Sequence, residues 1–402
     1  METERQEMTR WPIVPLGDFV AKKSGSVNPA MFPGEVFDLY SIPAFDAGQP
    51  DVCAGSEIGS AKQVVQPSDV LLSRIVPHIR RAWVVGESQG RRWIASGRWI
   101  VLRSPKIRPR YLPYFLLCAP LHAQFMQTVS GVGGSLLRAK ATEVAKIKIP
   151  VPLLAEQERI VKLLDEADEL RKLRTQTDRR TADLIPALFY EMFGDPTHLE
   201  KMRWSFKPLG EFAKVSYGLA DKLDATTKPE NGTRILTISN VLLHGSIDTK
   251  VEKYSVIKPA ERAKARLQNF DLLFNWRNGS EEHVGKTAIW EEQVEGEVLH
   301  VSFLLKIRAD LDQANPYFLW ALINRLRAAG YFTRNARMQI NRKFNASELS
   351  ALKLPLPPLE LQKEFAARVS DIRAMQAEQA ASRRRLDDLF HSMLHRAFQG
   401  EL

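Results

Sequence analysis

The sequence predicts an α+β protein: two duplicated domains of mixed α/β character, separated by two long helices. Three observations carry this prediction. An internal repeat runs through the whole chain, each copy leaves its mixed region through an extended Pro-x-Pro segment, and each exit leads into about 40 glycine-free residues with heptad-spaced apolar positions. A chain of 402 residues has room for two or three such cores.

The repeat is read block by block. Trp11-Pro12-Ile13-Val14-Pro15-Leu16-Gly17-Asp18-Phe19 returns as Trp204-Ser205-Phe206-Lys207-Pro208-Leu209-Gly210-Glu211-Phe212. Asp69-Val70-Leu71-Leu72 returns as Asp271-Leu272-Leu273-Phe274, and Pro113-Tyr114-Phe115-Leu116 returns unchanged as Pro316-Tyr317-Phe318-Leu319. Thr142-Glu143-Val144 matches Ser347-Glu348-Leu349, and Ile149-Pro150-Val151-Pro152 matches Leu354-Pro355-Leu356-Pro357. The blocks keep their order while the offset drifts only from 193 to 205. Solenoid units are far shorter, so this is a duplicated domain. The boundaries follow: 1–148 and 204–353 for the mixed domains, 149–203 and 354–402 for the helical segments.

Within each mixed domain, short β-rich runs such as Val70-Leu71-Leu72, Trp99-Ile100-Val101-Leu102 and Val301–Ile307 alternate with Gly and Pro breaks. Proline at the exits fixes φ and disfavours a preceding helix. Beyond them, Ile160, Leu163, Ala167, Leu170, Leu184 and Leu188 form one stripe, and Phe365, Val369, Ile372, Leu386, Phe390, Met393 and Ala397 the other. Steps of three and four place each set on one helix face that needs a partner. Both stripes turn polar midway, at Arg174, Thr177 and Thr181 and at Gln376, Gln379 and Arg383, so the helices can be each other's partners. Two amphipathic helices packed separately on their own domains would also bury these stripes, but about 40 residues make a rod of roughly 60 Å, longer than that needs. Pro186 predicts a break near Asp183 to Ile185, whereas the second segment should run straight.

Charge points to an acidic partner. The net charge is +10, and it is not spread evenly. From Val70 to Thr142 there are twelve Lys or Arg and one acid, Glu87; from Gln313 to Ser347 there are six and none. Such stretches suit a phosphate-binding surface. Arg can grip guanine through two acceptors, and Asn or Gln can do so with adenine. The candidates are Arg74, Arg80, Arg81, Arg91, Arg92 and Arg138 in the first domain, with Gly131, Gly133 and Gly134 allowing close backbone approach. In the second they are Asn275, Arg277, Asn278, Arg334, Asn335, Arg337, Gln339, Asn341 and Arg342.

Catalytic motifs fail. Gly279 to Thr287 is similar to a phosphate-binding loop but has five residues between the glycines where four are required, and it runs into the strand-like Ala288-Ile289-Trp290. Asn315-Pro316-Tyr317 lacks the second proline of the Asn-Pro-Pro-Tyr loop of adenine methyltransferases, and a helix start explains it better. No Gly-rich cofactor loop follows a strand, the eight histidines form no ligand cluster, and no metal site is expected. Cys53 and Cys118 lie outside any metal-ligand spacing and fit a reducing compartment. The polar N-terminus lacks a signal-peptide core and no run spans a membrane, so a cytoplasmic protein is expected.

The order of parts resembles the specificity subunits of type I restriction-modification systems. Ile149 to Gln157 is similar to that family's lead into its central helix, and Leu354 to Gln362 to the lead into its distal helix. Glu191-Met192-Phe193-Gly194-Asp195 resembles the end of the central helix, and Leu394 to Leu402 the family's C-terminal ending. Leu361 departs from the glutamate seen at Glu156. The resemblance implies two target-recognition domains, each reading half of a bipartite site on double-stranded DNA, and an antiparallel coiled coil giving a pseudo-twofold scaffold and a fixed spacer. It implies two methyltransferase subunits carrying S-adenosylmethionine, and restriction subunits using ATP and Mg, as partners of a chain that is not an enzyme and binds none of these cofactors. A standalone architectural or regulatory DNA-binding protein would share the repeat and the charge but not the helix-end motifs.

Overall fold

The computed structural model describes residues 11–22, 25–87, 90–131, 137–220, 227–335 and 342–402. The chain forms two compact units, residues 1–175 with 381–402, and residues 176–380. Each unit combines a mixed α/β region with a portion of each long helix.

In the first unit, Ile13–Pro15 pairs antiparallel with Lys148–Pro150, so the start and the exit of the mixed region lie side by side. Val70–Ser73 is the middle strand of a three-stranded antiparallel sheet, between Ala82–Val84 and Trp99–Leu102. Its continuous apolar run is explained by burial on both faces. A second sheet has five strands in the order Ser26–Val27, Lys62–Val64, Arg92–Ala95, Val36–Tyr40 and Asp51–Ala54, with one parallel pair. The core joins Leu16, Val70, Leu102, Tyr111 and Phe115 to Ile160 and Leu164 near the start of helix Leu154–Ala182, and to Phe390, Leu394 and Phe398 near the end of helix Leu359–Gln399. Phe398 sits edge-on to Tyr111 and Phe115, with ring centroids 5.4 and 4.9 Å apart. Arg171 donates to Asp387 at 2.7 Å and lies over the Phe390 ring.

The second unit is built alike. Ser205–Pro208 pairs with Lys353–Leu356, and Leu272–Asn275 lies between Leu304–Ala309 and Thr287–Ile289 in a four-stranded antiparallel sheet edged by Ala213–Tyr217. A three-stranded sheet adds Thr233–Leu236, Tyr254–Ser255 and Val298–His300. Its core joins Phe318 and Leu319 of helix Pro316–Ala328 to Phe189 and Phe193 of helix Leu184–Phe193 and to Phe365 and Val369 of the distal helix. Here Thr181 donates to the Gln379 side chain at 2.8 Å, and Gln376 donates to the Thr181 carbonyl at 2.9 Å.

Matched residues of the repeat make matched bonds inside each unit. Asp69 and Asp271, both buried, accept two-pronged bonds from Arg103 and Arg308 at 2.5–2.7 Å. Each also caps the backbone N–H of the glutamine three residues earlier, Gln66 and Gln268. The residues just before them, Ser68 and Phe270, both take the left-handed φ, 70° and 68°, that this tight turn demands. Gln157 and Gln362 are fully buried in the first turns of the long helices. The Gln157 amide donates to the Pro152 and Lys106 carbonyls and accepts from the Arg108 N–H; the Gln362 amide donates to Pro357 and Gln313 and accepts from Asn315.

The helices differ from expectation in detail. The break falls at Asp183, between Leu154–Ala182 and Leu184–Phe193, because Pro186 offers no N–H to the carbonyl one turn back. The distal helix runs unbroken over 41 residues. Leu164 and Ile185 are buried where the heptad stripe named Leu163 and Leu184, and Leu170 is 52% exposed. Near their ends the helices face a domain core as well as another helix, which rotates the buried stripe by one residue.

Replacing Gln157 or Gln362 by Leu strands one buried N–H and two carbonyls in either unit. Each variant is expected to lose about 1–3 kcal/mol in denaturant unfolding; unchanged stability would show that water already serves those groups.

Candidate nucleic-acid interface

Both units carry a cationic two-stranded extension at the same place. In the first, the chain leaving strand Val70–Ser73 runs beside the hairpin of Val129–Ser130 and Arg138–Ala139. Ile75 bridges to Arg138, and the Ala139 N–H donates to the Arg74 carbonyl at 2.7 Å. In the second, Arg277 and Asn278 pair with Lys343 and Arg342, and the Phe344 N–H donates to the Trp276 carbonyl at 2.8 Å. Arg74 and Trp276 are matched positions of the repeat, so the same ladder bears cations in each copy.

Not every expected contact residue reaches this surface. Arg81 is only 8% exposed and makes a two-pronged bond to Asp46 at 2.8 Å, which holds the Asp46 carboxyl below the usual carboxylate range. Asn275 is fully buried, and its amide donates to the His283 carbonyl. Both therefore serve the fold and leave the candidate surface. Arg91 donates to Asp38 at 2.7 Å, and Arg92 to Glu35 at 2.6 and 2.9 Å while stacking on Phe32. The charge count from Val70 to Thr142 missed these partners because the acids come from residues 35–46, outside that window. Six of its twelve cations are paired this way: Arg81, Arg91, Arg92, Arg103, Arg108 and Arg110, the last three with Asp69, Glu158 and Asp165.

Arg74, Arg138 and Arg277 stand differently. Among the described residues their guanidinium groups make no hydrogen bond or ion pair. Arg80 is exposed and donates to the Leu117 carbonyl, and Arg334 is exposed and donates to the Ala329 carbonyl at the end of helix Pro316–Ala328. Asn278 accepts from the Ser280 N–H. Gly133, Gly134, Arg337, Gln339 and Asn341 lie outside the described residues, as do the side chains of Asn335 and Arg342. Two aromatic residues at this surface had not been singled out, Tyr217 and Phe303. Their signal was the aromatic-basic interleaving of Trp276-Arg277 with Phe303 across the sheet, visible only once the strands are paired.

The loop similar to a phosphate-binding motif is used otherwise. Lys286 is buried and donates to the Ile238 carbonyl at 2.8 Å; burial, then the nearby Arg327 charge, lowers its pKa. Thr287 begins strand Thr287–Ile289, where a phosphate-binding loop would open a helix. Among the described residues no group of three or more His, Cys, Asp or Glu could hold a metal ion, and no helix is long and apolar enough to cross a membrane.

Comparison with known proteins shows the family. Residues 57–179 and 201–382 match the family model of the type I restriction modification DNA specificity domain. The chain belongs to that family. It is 40% identical over 171 residues to a putative type I restriction enzyme MjaX specificity subunit of Methanocaldococcus jannaschii, covering 42% of this chain and 39% of that protein. It is 26% identical over 287 residues to the type I restriction enzyme EcoKI specificity subunit of Escherichia coli, covering 67% of this chain and 61% of that one. The matches thus span less than two thirds of either relative's length. A chain from a structure concerned with complex assembly and conformational transition of the type I R-M system is similar in fold, with TM-score 0.66 at 19% identity over 98% of this chain and 100% of that one. The type I restriction-modification system S subunit from M. genitalium gives TM-score 0.54 at 9% identity, over 98% and 97%.

These placements separate two kinds of arginine. Arg138→Ala should lower the slope of log affinity against log salt by about 0.9, the value of one lost phosphate contact. Arg81→Ala should instead lower the melting temperature and leave the slope alone. Equal slopes for Arg138→Ala and wild type would take Arg138 out of the interface.

Proposed function

We propose that this chain is the DNA-reading specificity subunit of a type I restriction-modification complex. Each mixed domain reads one half of a bipartite site on double-stranded DNA, and the two long helices pair as an antiparallel coiled coil that sets the unread spacer. The domains are 1–148 and 204–353, a duplicated pair related by a pseudo-twofold axis, with helical spacers at 149–203 and 354–402. The single observation that carries this reading is the recurrence of one cationic ladder, on one buried Asp–Arg frame, in each copy of the repeat. The antiparallel pairing is supported by the mixed cores: the start of one long helix clusters with the end of the other.

Contact falls to Arg74, Arg80 and Arg138 in one domain, and to Arg277, Arg334, Arg337, Gln339, Asn341 and Arg342 in the other. Two methyltransferase subunits and restriction subunits dock on the helical scaffold in the cytoplasm. S-adenosylmethionine, ATP and Mg belong to those partners, and this chain positions and measures without catalysing.

The test is a domain exchange. Replacing residues 204–349 by the matching region of a relative should change only one half of the sequence methylated by the assembled complex, read by methylation-sensitive sequencing. A change in both halves, or in neither, would contradict one domain per half-site.

A further inference from the structure

We infer that Arg277 reads a guanine in the second half-site and that the exposed ring of Phe303 positions it. The inference rests on the DNA-binding reading above and assigns one base contact within it. Phe303 is 45% exposed, in the turn between strands Val298–His300 and Leu304–Ala309, while its neighbour Leu304 is fully buried. The core therefore does not use the Phe303 ring. The Arg277 guanidinium carbon lies 5.5 Å from the centre of that ring, within the range of a cation–π contact.

The two residues come from a strand and a separate turn, yet their relative position is fixed. The Trp276 indole N–H donates to the Ser302 carbonyl at 2.6 Å, and the Ser302 N–H donates to the Leu219 carbonyl at 2.7 Å. On the other side, Tyr217 packs edge-on against Trp276 at 5.6 Å, and its hydroxyl accepts from the Ala346 N–H. The turn carrying Phe303 is thus tied directly to the strand carrying Arg277. Arg277 itself occupies a regular ladder position opposite Lys343.

A guanidinium lying over a ring loses one face to it and keeps all five in-plane N–H donors free. Among the described residues no acid takes them, unlike those of Arg91 and Arg92. A planar fork held in one orientation suits a pair of acceptors at fixed spacing, and guanine offers these as O6 and N7 in the major groove. Phosphate also accepts a fork, but it gives an exposed apolar ring nothing to cover. Beside a base edge the same ring is shielded by neighbouring apolar groups such as a thymine methyl. The chemistry therefore favours a base edge over the backbone.

The experiment uses the full chain assembled with its methyltransferase subunits and a library randomised in the second half-site. Arg277→Lys keeps the charge and removes the fork. Preference for G at one position should fall about 10- to 100-fold, with other positions and the salt slope unchanged. Phe303→Ala should weaken the same position by about two- to fivefold, and Phe303→Trp should restore it. If Arg277→Lys keeps every preference while Arg277→Ala weakens all sequences alike and lowers the salt slope by about 0.9, Arg277 holds phosphate and the inference is overturned. If Phe303→Ala changes nothing, or a different position, the positioning role is overturned. The exchange of residues 204–349 is the control. Should it leave the half-site unchanged, the reading of this domain fails as a whole; should it alter the half-site while Arg277→Lys does not, only the present inference fails.

Discussion

One buried amide in each unit joins the mixed domain to its helix, and the rest of the structure depends on that joint. Gln157 and Gln362 each bridge the Pro-x-Pro exit, the loop just before a domain helix, and the helix on which they sit. A buried amide with all three bonds made is directional in a way that apolar packing is not, since any rotation of the helix strands polar groups without water. The joint thus converts a hydrophobic contact that tolerates slip into a fixed angle. Apolar burial of Ile160 and Leu164, and of Phe365 and Val369, then stabilises the angle that the amide selects.

On this frame the ladders are anchored by Ala139 and Phe344 in the cores, while the guanidinium groups of Arg74, Arg138 and Arg277 make no hydrogen bond or ion pair among the described residues. Asp69 and Asp271 hold the sheets through buried two-pronged bonds, while Arg74, Arg138 and Arg277 project from strand extensions beyond those anchors. On the proposed reading, stability and recognition are thereby separated along a single strand: the residues of Val70–Ser73 are buried and Arg74 follows at once. On that reading, such a separation would let the surface change its target while its scaffold stays the same.

Much of this was legible in the sequence because it rests on local rules. Repeated Asp-Val-Leu-Leu and Pro-Tyr-Phe-Leu blocks mark matched strands and helices, and Pro186 marks the helix break at Asp183. What escaped was long-range. Arg81, Arg91 and Arg92 looked free because Asp46, Asp38 and Glu35 sit at least 35 residues away and arrive only through sheet formation. Asn275 looked like a reader because its amide suits adenine, and residue type alone cannot show that its strand is covered on both faces. The fully buried leucine of the first helix is Leu164 instead of Leu163, since a helix that faces both a domain and another helix follows neither pure stripe.

The central claim is that rigid joints make the paired helices a ruler. It is tested most directly by adding four residues to each long helix in the polar region, after Thr177 and after Arg383. Four residues lengthen a helix by about 6 Å and return its face to within about 40°. Selection from a library of randomised spacers should then give the same two half-sites with a spacer longer by roughly two base pairs, at about 3.4 Å each. A folded variant that still binds tightly at the original spacer would contradict the account.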